Sequence, residues 1–317
     1  MPRHPKVSIV GAGTVGSTLA VALSEKGYPI LSVISRTGRR AISLAKAVNC
    51  ARASTQIGDI DPETQLLLIT VSDGAIAGIA ENAGALKTLK FKKLFAAHCS
   101  GVHTAGVLDP LKRKGALTGS LHPIQTFPSG QSPARLRAKL RGIYYGLEGE
   151  PEAIARAEQI VRDLEGKSII IPEEMKPLYH VACVFASNYL VVFLNTISEL
   201  SRTIHLKASW TEVFGPLMTT TMEYTVKQSA AASLTGPIVR GDSSTVDAHL
   251  RALAEHAPQF LPLYTIAGIE AARVAKQQGR MSQEEFNAMV ARLKQFIQTQ
   301  TPDGSSNPQD ILKVKRN

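Results

Sequence analysis

Cysteine is scarce in this chain. Cys50, Cys99 and Cys183 are the only three among 317 residues, and no pair has the short spacing of a zinc ligand set or a redox dithiol. An odd, sparse count excludes a disulfide framework and suits a reducing compartment, so the cytoplasm is the expected location. Aromatic residues are also few, 5% of the chain with a single Trp. That qualifies the positive charge. The formal net charge is +10, but the basic runs at 87–93, 112–114, 135–141 and 313–316 are scattered, and Phe91 is the single aromatic within them. No nucleic-acid partner is therefore expected, and the excess charge favours small anionic ligands instead. A long uninterrupted apolar run is missing too. The most apolar stretch, 181–194, contains Ser187 and Asn188 and falls short of the ~20 residues of a bilayer span, so no membrane role is expected. Met1-Pro2-Arg3-His4-Pro5 leads straight into an apolar strand and does not read as a signal peptide.

What is present is a change of pattern at Pro172. Before it, short apolar strands (6–10, 30–34, 65–71, 94–97, 117–121, 142–147 and 168–171) alternate with helical stretches. That alternation predicts an α/β domain over 1–171, a doubly wound parallel sheet. After Pro172 only helical patterns follow, at 173–204, 209–229, 244–256, 259–279 and 282–301. An all-α domain over 172–301 is predicted, then a loose tail over 302–317 carrying Pro302, Asp303-Gly304 and Pro308. The first of these helices is so apolar that burial on all sides is expected. Ser244 with Asp247 reads as a capping-box-like helix start. Sheets of this kind bind ligands outside the carboxyl ends of their strands, so a site in the cleft between the two domains is expected.

The first strand runs into Gly11-Ala12-Gly13-Thr14-Val15-Gly16 and then a helix. In that order each glycine has a physical task. Gly11 permits the turn, Gly13 lets a pyrophosphate approach the backbone, and Gly16 lets helix and strand pack closely. The helix N-terminus adds free N–H groups and a positive dipole end for phosphates. The second strand should then end in an acid that reads a free ribose 2′-hydroxyl. It ends instead in Ser35-Arg36-Thr37. Arg presents a planar fork of donors to a phosphate, so the expected cofactor is NADP(H), with Arg36 as the leading contact. Ser35, Thr37 and the third strand's end, Val71 and Ser72, complete the cofactor-binding candidates.

Two further strand ends carry polar residues, His98-Cys99-Ser100-Gly101 and His122-Pro123. No third ligand accompanies the two histidines at suitable spacing, so no metal is expected. On the apolar helix, Lys176, His180, Cys183 and Ser187 fall on one stripe, with Asn188 beside it. A lysine and a histidine one turn apart can serve proton transfer, and an ammonium can stabilise charge that develops as hydride moves. The turn-rich segment 234–242 offers Thr235, Gly236, Arg240 and Asp242 to an anionic substrate.

Taken together, the glycine turn, His98-Cys99-Ser100-Gly101, His122-Pro123 with Phe127, the helix from Lys176 to Asn188, and Leu234-Thr235-Gly236-Pro237 through Arg240-Gly241-Asp242 resemble a known group. It is the Rossmann-like oxidoreductases that carry the helical domain of unknown function 2520. More distantly the layout is similar to ketopantoate reductases, β-hydroxyacid dehydrogenases and pyrroline-carboxylate reductases. The resemblance implies an NADP(H)-dependent oxidoreductase acting on a small, anionic carbonyl, hydroxy or imine compound, and a homodimer built through the helical domain. In the hydroxyacid group a Lys-x-x-x-Asn pair on the first helix after the sheet is catalytic. The matching positions here are Lys176 and His180. The expected catalytic set is Lys176, His180, His98 and Ser100, and the expected substrate contacts are Gly101, His122, Asn188, Thr235, Gly236, Arg240 and Asp242. Two rivals stand beside this: a non-catalytic NADP(H)-binding redox sensor acting through a protein partner, and a histidine-based metal hydrolase.

Overall fold

The computed structural model describes residues 4–128 and 130–298, and the tail expected over 302–317 lies outside them. The chain divides into two compact units, one ending at Tyr189 and the other beginning at Leu190. The sequence predicts a border at 171/172, where the strands do end. The first turns of the following helix nevertheless belong to the first unit.

That unit is built on eight strands: β1 (Val7–Val10), β2 (Ile30–Ile34), β3 (Ala53–Ser54), β4 (Leu66–Ile69), β5 (Phe95–His98), β6 (Leu117–Pro123), β7 (Tyr144–Gly149) and β8 (Lys167–Ile170). They form one sheet in the order β3-β2-β1-β4-β5-β6-β7-β8. Alternate residues feed opposite faces. Val7, Ile9, Leu66, Leu68, Phe95 and Ala97 join one core cluster, while Val10, Leu67, Ile69 and Ala96 join another. Both faces are thus apolar, which is why the strands read as continuous hydrophobic runs.

The expectation of a parallel sheet needs one correction. β6 and β7 are antiparallel, and every other neighbouring pair is parallel. Apolar patterning reports burial and not strand direction, so it was blind to this reversal. The reversal sets Ser120 opposite Glu148 and His122 opposite Gly146, and both pairings matter below.

After β8 come a 3-10 turn (Glu173–Met175), a helix (Lys176–Val184), a single π turn (Phe185–Tyr189) and a further helix (Leu190–Thr203). The helix forms as predicted, but its expected burial is overturned. Phe185 and Val191 are each 61% exposed. An apolar pattern says that a face avoids water; it does not say that the same chain covers it. By length and composition this stretch, Glu173–Thr203, which holds an 18-residue window of mean hydropathy 1.7, could also cross a bilayer.

The second unit contains helices Trp210–Lys227, Ser243–His256, Leu261–Gln277 and Gln283–Gln298. Its core gathers Val246, Leu250, Leu261, Ala272, Met289 and Leu293. The helix Ser243–His256 is capped by Asp242, not by Ser244 as predicted. The Asp242 carboxylate accepts from the Thr245 N–H at 3.1 Å and from the Thr245 hydroxyl at 2.7 Å. A carboxylate reaches the third N–H of the helix from this position, and the charge also suits the dipole end.

Candidate functional site

The glycine turn joins β1 to the helix Thr14–Glu25. Its three glycines have different reasons. Gly11 sits at φ +113°, and a Cβ there would fall 2.6 Å from the Thr70 carbonyl oxygen. A Cβ on Gly16 would fall 2.1 Å from the Gly11 carbonyl oxygen. Packing alone requires both. At Gly13 a Cβ would meet nothing within 4 Å, so the fold itself does not require that glycine. Gly13 is the N-cap of the helix and supplies no side-chain cap, so the first N–H groups of the helix, including those of Thr14 and Val15, have no partner within it.

Beside this turn lies a cavity of about 480 Å³. Gly11 and Gly13 line it from the turn, Ser35, Arg36 and Thr37 from the end of β2, and Val71 and Ser72 from the end of β4. Thr55, Ile57, Ala75 and Ile79 also line it and were missed in the sequence, and Arg40, in the first turn of the helix Gly38–Ala47, joins Arg36 in the lining. No carboxylate is among the lining residues. Thr14 and Val15 are outside the lining and contribute through the helix start.

At the other strand ends the predicted residues are arranged differently. Lys176 is fully buried. Its ammonium donates to the Ser120 hydroxyl at 2.5 Å, to the His103 carbonyl and, more weakly, to the Ser100 carbonyl at 3.4 Å. The Glu148 carboxylate stands 3.5 Å away and also accepts from the Ala105 N–H at 2.7 Å. Ser120 and Glu148 meet here because the antiparallel β6–β7 pair sets them opposite each other. Burial pushes the Lys176 ammonium down to about 8, against the pull of Glu148. Burial raises the Glu148 carboxyl, against the pull of Lys176.

His98 and Ser100 belong to the same arrangement. The Ser100 N–H donates to His98 Nδ1 at 3.2 Å, so Nε2 carries the hydrogen and donates to the Thr104 carbonyl at 3.0 Å. Burial, with the nearby Lys176 charge, lowers the His98 imidazole to about 3. The Ser100 hydroxyl accepts from the N–H groups of Val102 and His103. Lys176, Glu148, His98 and Ser100 together brace the loop from 98 to 105.

The loop so braced presents Gly101 to two histidine side chains. A Cβ on Gly101 would lie 2.4 Å from His180 Nδ1 and 3.1 Å from His122 Nε2. The two imidazoles approach edge to face, with ring centroids 6.0 Å apart. His122 Nδ1 is 2.6 Å from the Tyr179 hydroxyl. Gly146, opposite His122 on β7, makes room for that hydroxyl, because a Cβ there would lie 2.6 Å from it. Burial, then the neighbouring His180 and Lys176, lowers the His122 imidazole to about 4. Tyr179 escaped the sequence reading because a tyrosine on an apolar helix looks like core.

The remaining candidates are dispersed. Ser187 and Asn188 fall in the π turn, where the Ser187 hydroxyl lies 3.0 Å from that of Thr126 and Asn188 is exposed. Thr235, Gly236, Arg240 and Asp242 lie in the second unit. There Gly236 adopts φ +113°, Thr235 and Arg240 are exposed, and Asp242 caps its helix. Among the described residues, no group of three or more His, Cys, Asp or Glu is placed to hold a metal ion.

Two family models match the chain: a Rossmann-like domain over residues 1–123 and a domain of unknown function, DUF2520, over 143–270. No curated protein matches it. Solved structures do. Protein BF3122 of Bacteroides fragilis, named as a provisional NADP oxidoreductase, is 23% identical with a TM-score of 0.72, over 86% of this chain and 99% of its own. Protein TM1727 of Thermotoga maritima is 26% identical with a TM-score of 0.66, over the same shares. A reductive aminase from Aspergillus terreus, in complex with NADPH and ethyl-5-oxohexanoate, is 17% identical with a TM-score of 0.56, over 98% of both chains. These likenesses establish the fold.

Proposed function

For this chain, which belongs to the proteins that join a Rossmann-like domain to DUF2520, we propose an NADP(H)-dependent oxidoreductase. One observation carries the reading. The cavity at the β1 and β2 ends is lined by Arg36 and Arg40 and by no carboxylate, next to a glycine whose missing Cβ leaves open space. The fit to a phosphorylated dinucleotide is direct. Gly13 and the helix start take the pyrophosphate, and the two arginines with Ser35 and Thr37 take the 2′-phosphate. When bound, the nicotinamide supplies or accepts a hydride. Names among the structural neighbours point the same way, since one contains NADPH and another offers an NADP oxidoreductase.

Replacing Arg36 or Arg40 with Ala removes charge-assisted hydrogen bonds worth roughly 1.5–3 kcal/mol each. Fluorescence titration should therefore show NADPH affinity falling about tenfold or more, with NADH affinity nearly unchanged. Equal losses for both nucleotides would refute the cofactor assignment. A screen of 2-oxo acids, hydroxy acids and cyclic imines then separates enzyme from sensor, because tight NADPH binding with no turnover favours the sensor.

The substrate is read as a small anionic carbonyl, hydroxy or imine compound, which the net charge of +10 supports. The helical segment is read as the seat of a homodimer, because its apolar side chains from Leu178 to Phe193 stand exposed in a single copy. Sedimentation equilibrium should give twice the chain mass at micromolar concentration; a monomer mass would remove the dimer. The three free cysteines suit a cytoplasmic setting.

A further inference from the structure

We propose that His122 grips the reacting end of the substrate, a role that rests on the NADP(H) reading above. Its Nε2–H donates to the carbonyl oxygen or imine nitrogen next to the carbon that exchanges hydride, and Tyr179 holds the ring in that tautomer.

Position is the first ground. β1, β4, β5 and β6 run parallel, so their carboxyl ends share one edge of the sheet. The dinucleotide cavity occupies that edge at β2, β1 and β4. At ~4.8 Å per strand, β6 lies roughly 10 Å beyond β4. A dinucleotide anchored at β1 and β2 and extended along the edge brings its nicotinamide towards β5 and β6. His122 lies near the end of β6, and Gly101 follows β5.

The tautomer belongs to the proposal and rests on the Tyr179 contact. His122 Nδ1 and the Tyr179 hydroxyl are 2.6 Å apart, and burial keeps the phenol protonated. With that phenol donating to Nδ1, Nε2 carries the ring hydrogen. Desolvation, with Lys176 nearby, outweighs Asp73 and keeps the ring neutral at neutral pH. A neutral imidazole is a hydrogen-bond donor suited to an oxygen or nitrogen on which charge develops.

Gly101 and His180 flank the ring. Any side chain at position 101 would strike both imidazoles, so only glycine fits beside them. His180 Nδ1 is shut off from solvent and has no hydrogen-bond partner among the described residues. Two ring nitrogens therefore converge on one glycine, and only His122 has its other nitrogen fixed. Lys176 and His98 cannot take this part, because their polar atoms are engaged in the loop brace.

The test combines kinetics with nitrogen NMR. NADPH oxidation is measured with pyruvate, other 2-oxo acids and 1-pyrroline. With the best of these, His122→Asn should lower kcat about a hundredfold, as for loss of one transition-state donor, while NADPH affinity stays within twofold. A kcat within threefold of wild type overturns the role. Independently of turnover, ¹⁵N-histidine spectra of the NADPH-bound wild-type protein should show His122 protonated at Nε2, and Tyr179→Phe should give a mixture of tautomers. His122 protonated at Nδ1, or a Tyr179→Phe spectrum unchanged from wild type, also overturns it. If none of the compounds is reduced, the oxidoreductase reading fails, while the spectra still decide the tautomer.

Discussion

One edge of a single sheet carries polar residues of two opposite kinds. At the β1 and β2 ends, Arg36 and Arg40 are exposed, line a cavity and keep their donors free among the described residues. At the β5 and β6 ends, Lys176 is equally cationic, yet it is sealed among Ser120, Glu148 and two backbone carbonyls. The first arrangement leaves its donors open. The second holds a loop in place by being satisfied. A polar residue at a strand end is therefore not a catalytic residue by position alone; what its donors already touch decides.

The sharpest way to break this contrast is Lys176→Met. Removing the ammonium leaves the Glu148 carboxylate buried without its cation, and breaking such a pair costs about 3–5 kcal/mol. Urea unfolding should show a loss of that size, the largest expected for any single change considered for this protein. Adding Glu148→Gln should recover much of it, since the unpaired charge is then gone and the two changes are strongly non-additive. A Lys176→Met protein with wild-type stability and no turnover would instead return Lys176 to the chemistry.

The glycine turn and the sequence of strands were legible because their signals are local: a buried run, three glycines at fixed spacing, a helix start. Arg36 was legible for the same reason, since the distance from the glycines to the second strand's end is set by one βαβ unit. The role of Lys176 was not. It depends on Glu148, which sits opposite Ser120 only because β7 reverses direction, and neither pattern nor spacing reports that reversal. His122 was found from its strand end, but its partner Tyr179 depends on Gly146 across the ladder. Asp242 shows a signal left unread. Beside its reading as a substrate contact, it caps its helix at Thr245, and the Asp-x-x-Thr spacing would have said so.

The smallest expected change in stability separates the turn's own needs from those of its ligand. Gly16→Ala puts a methyl 2.1 Å from the Gly11 carbonyl oxygen and 2.2 Å from the Thr70 hydroxyl, so backbone must move, at about 1–3 kcal/mol. Gly13→Ala adds a methyl to open space at the helix N-cap, where Ala is only a poorer cap than Gly, by under about 1 kcal/mol. Unfolding curves should rank the two in that order, while NADPH titration should reverse the ranking per unit of stability lost, because the new methyl at position 13 occupies the approach to the phosphates. If Gly13→Ala binds NADPH as tightly as wild type, the open side of the turn is not where the pyrophosphate rests. The turn would then differ from the lysine-braced loop only in exposure and not in purpose.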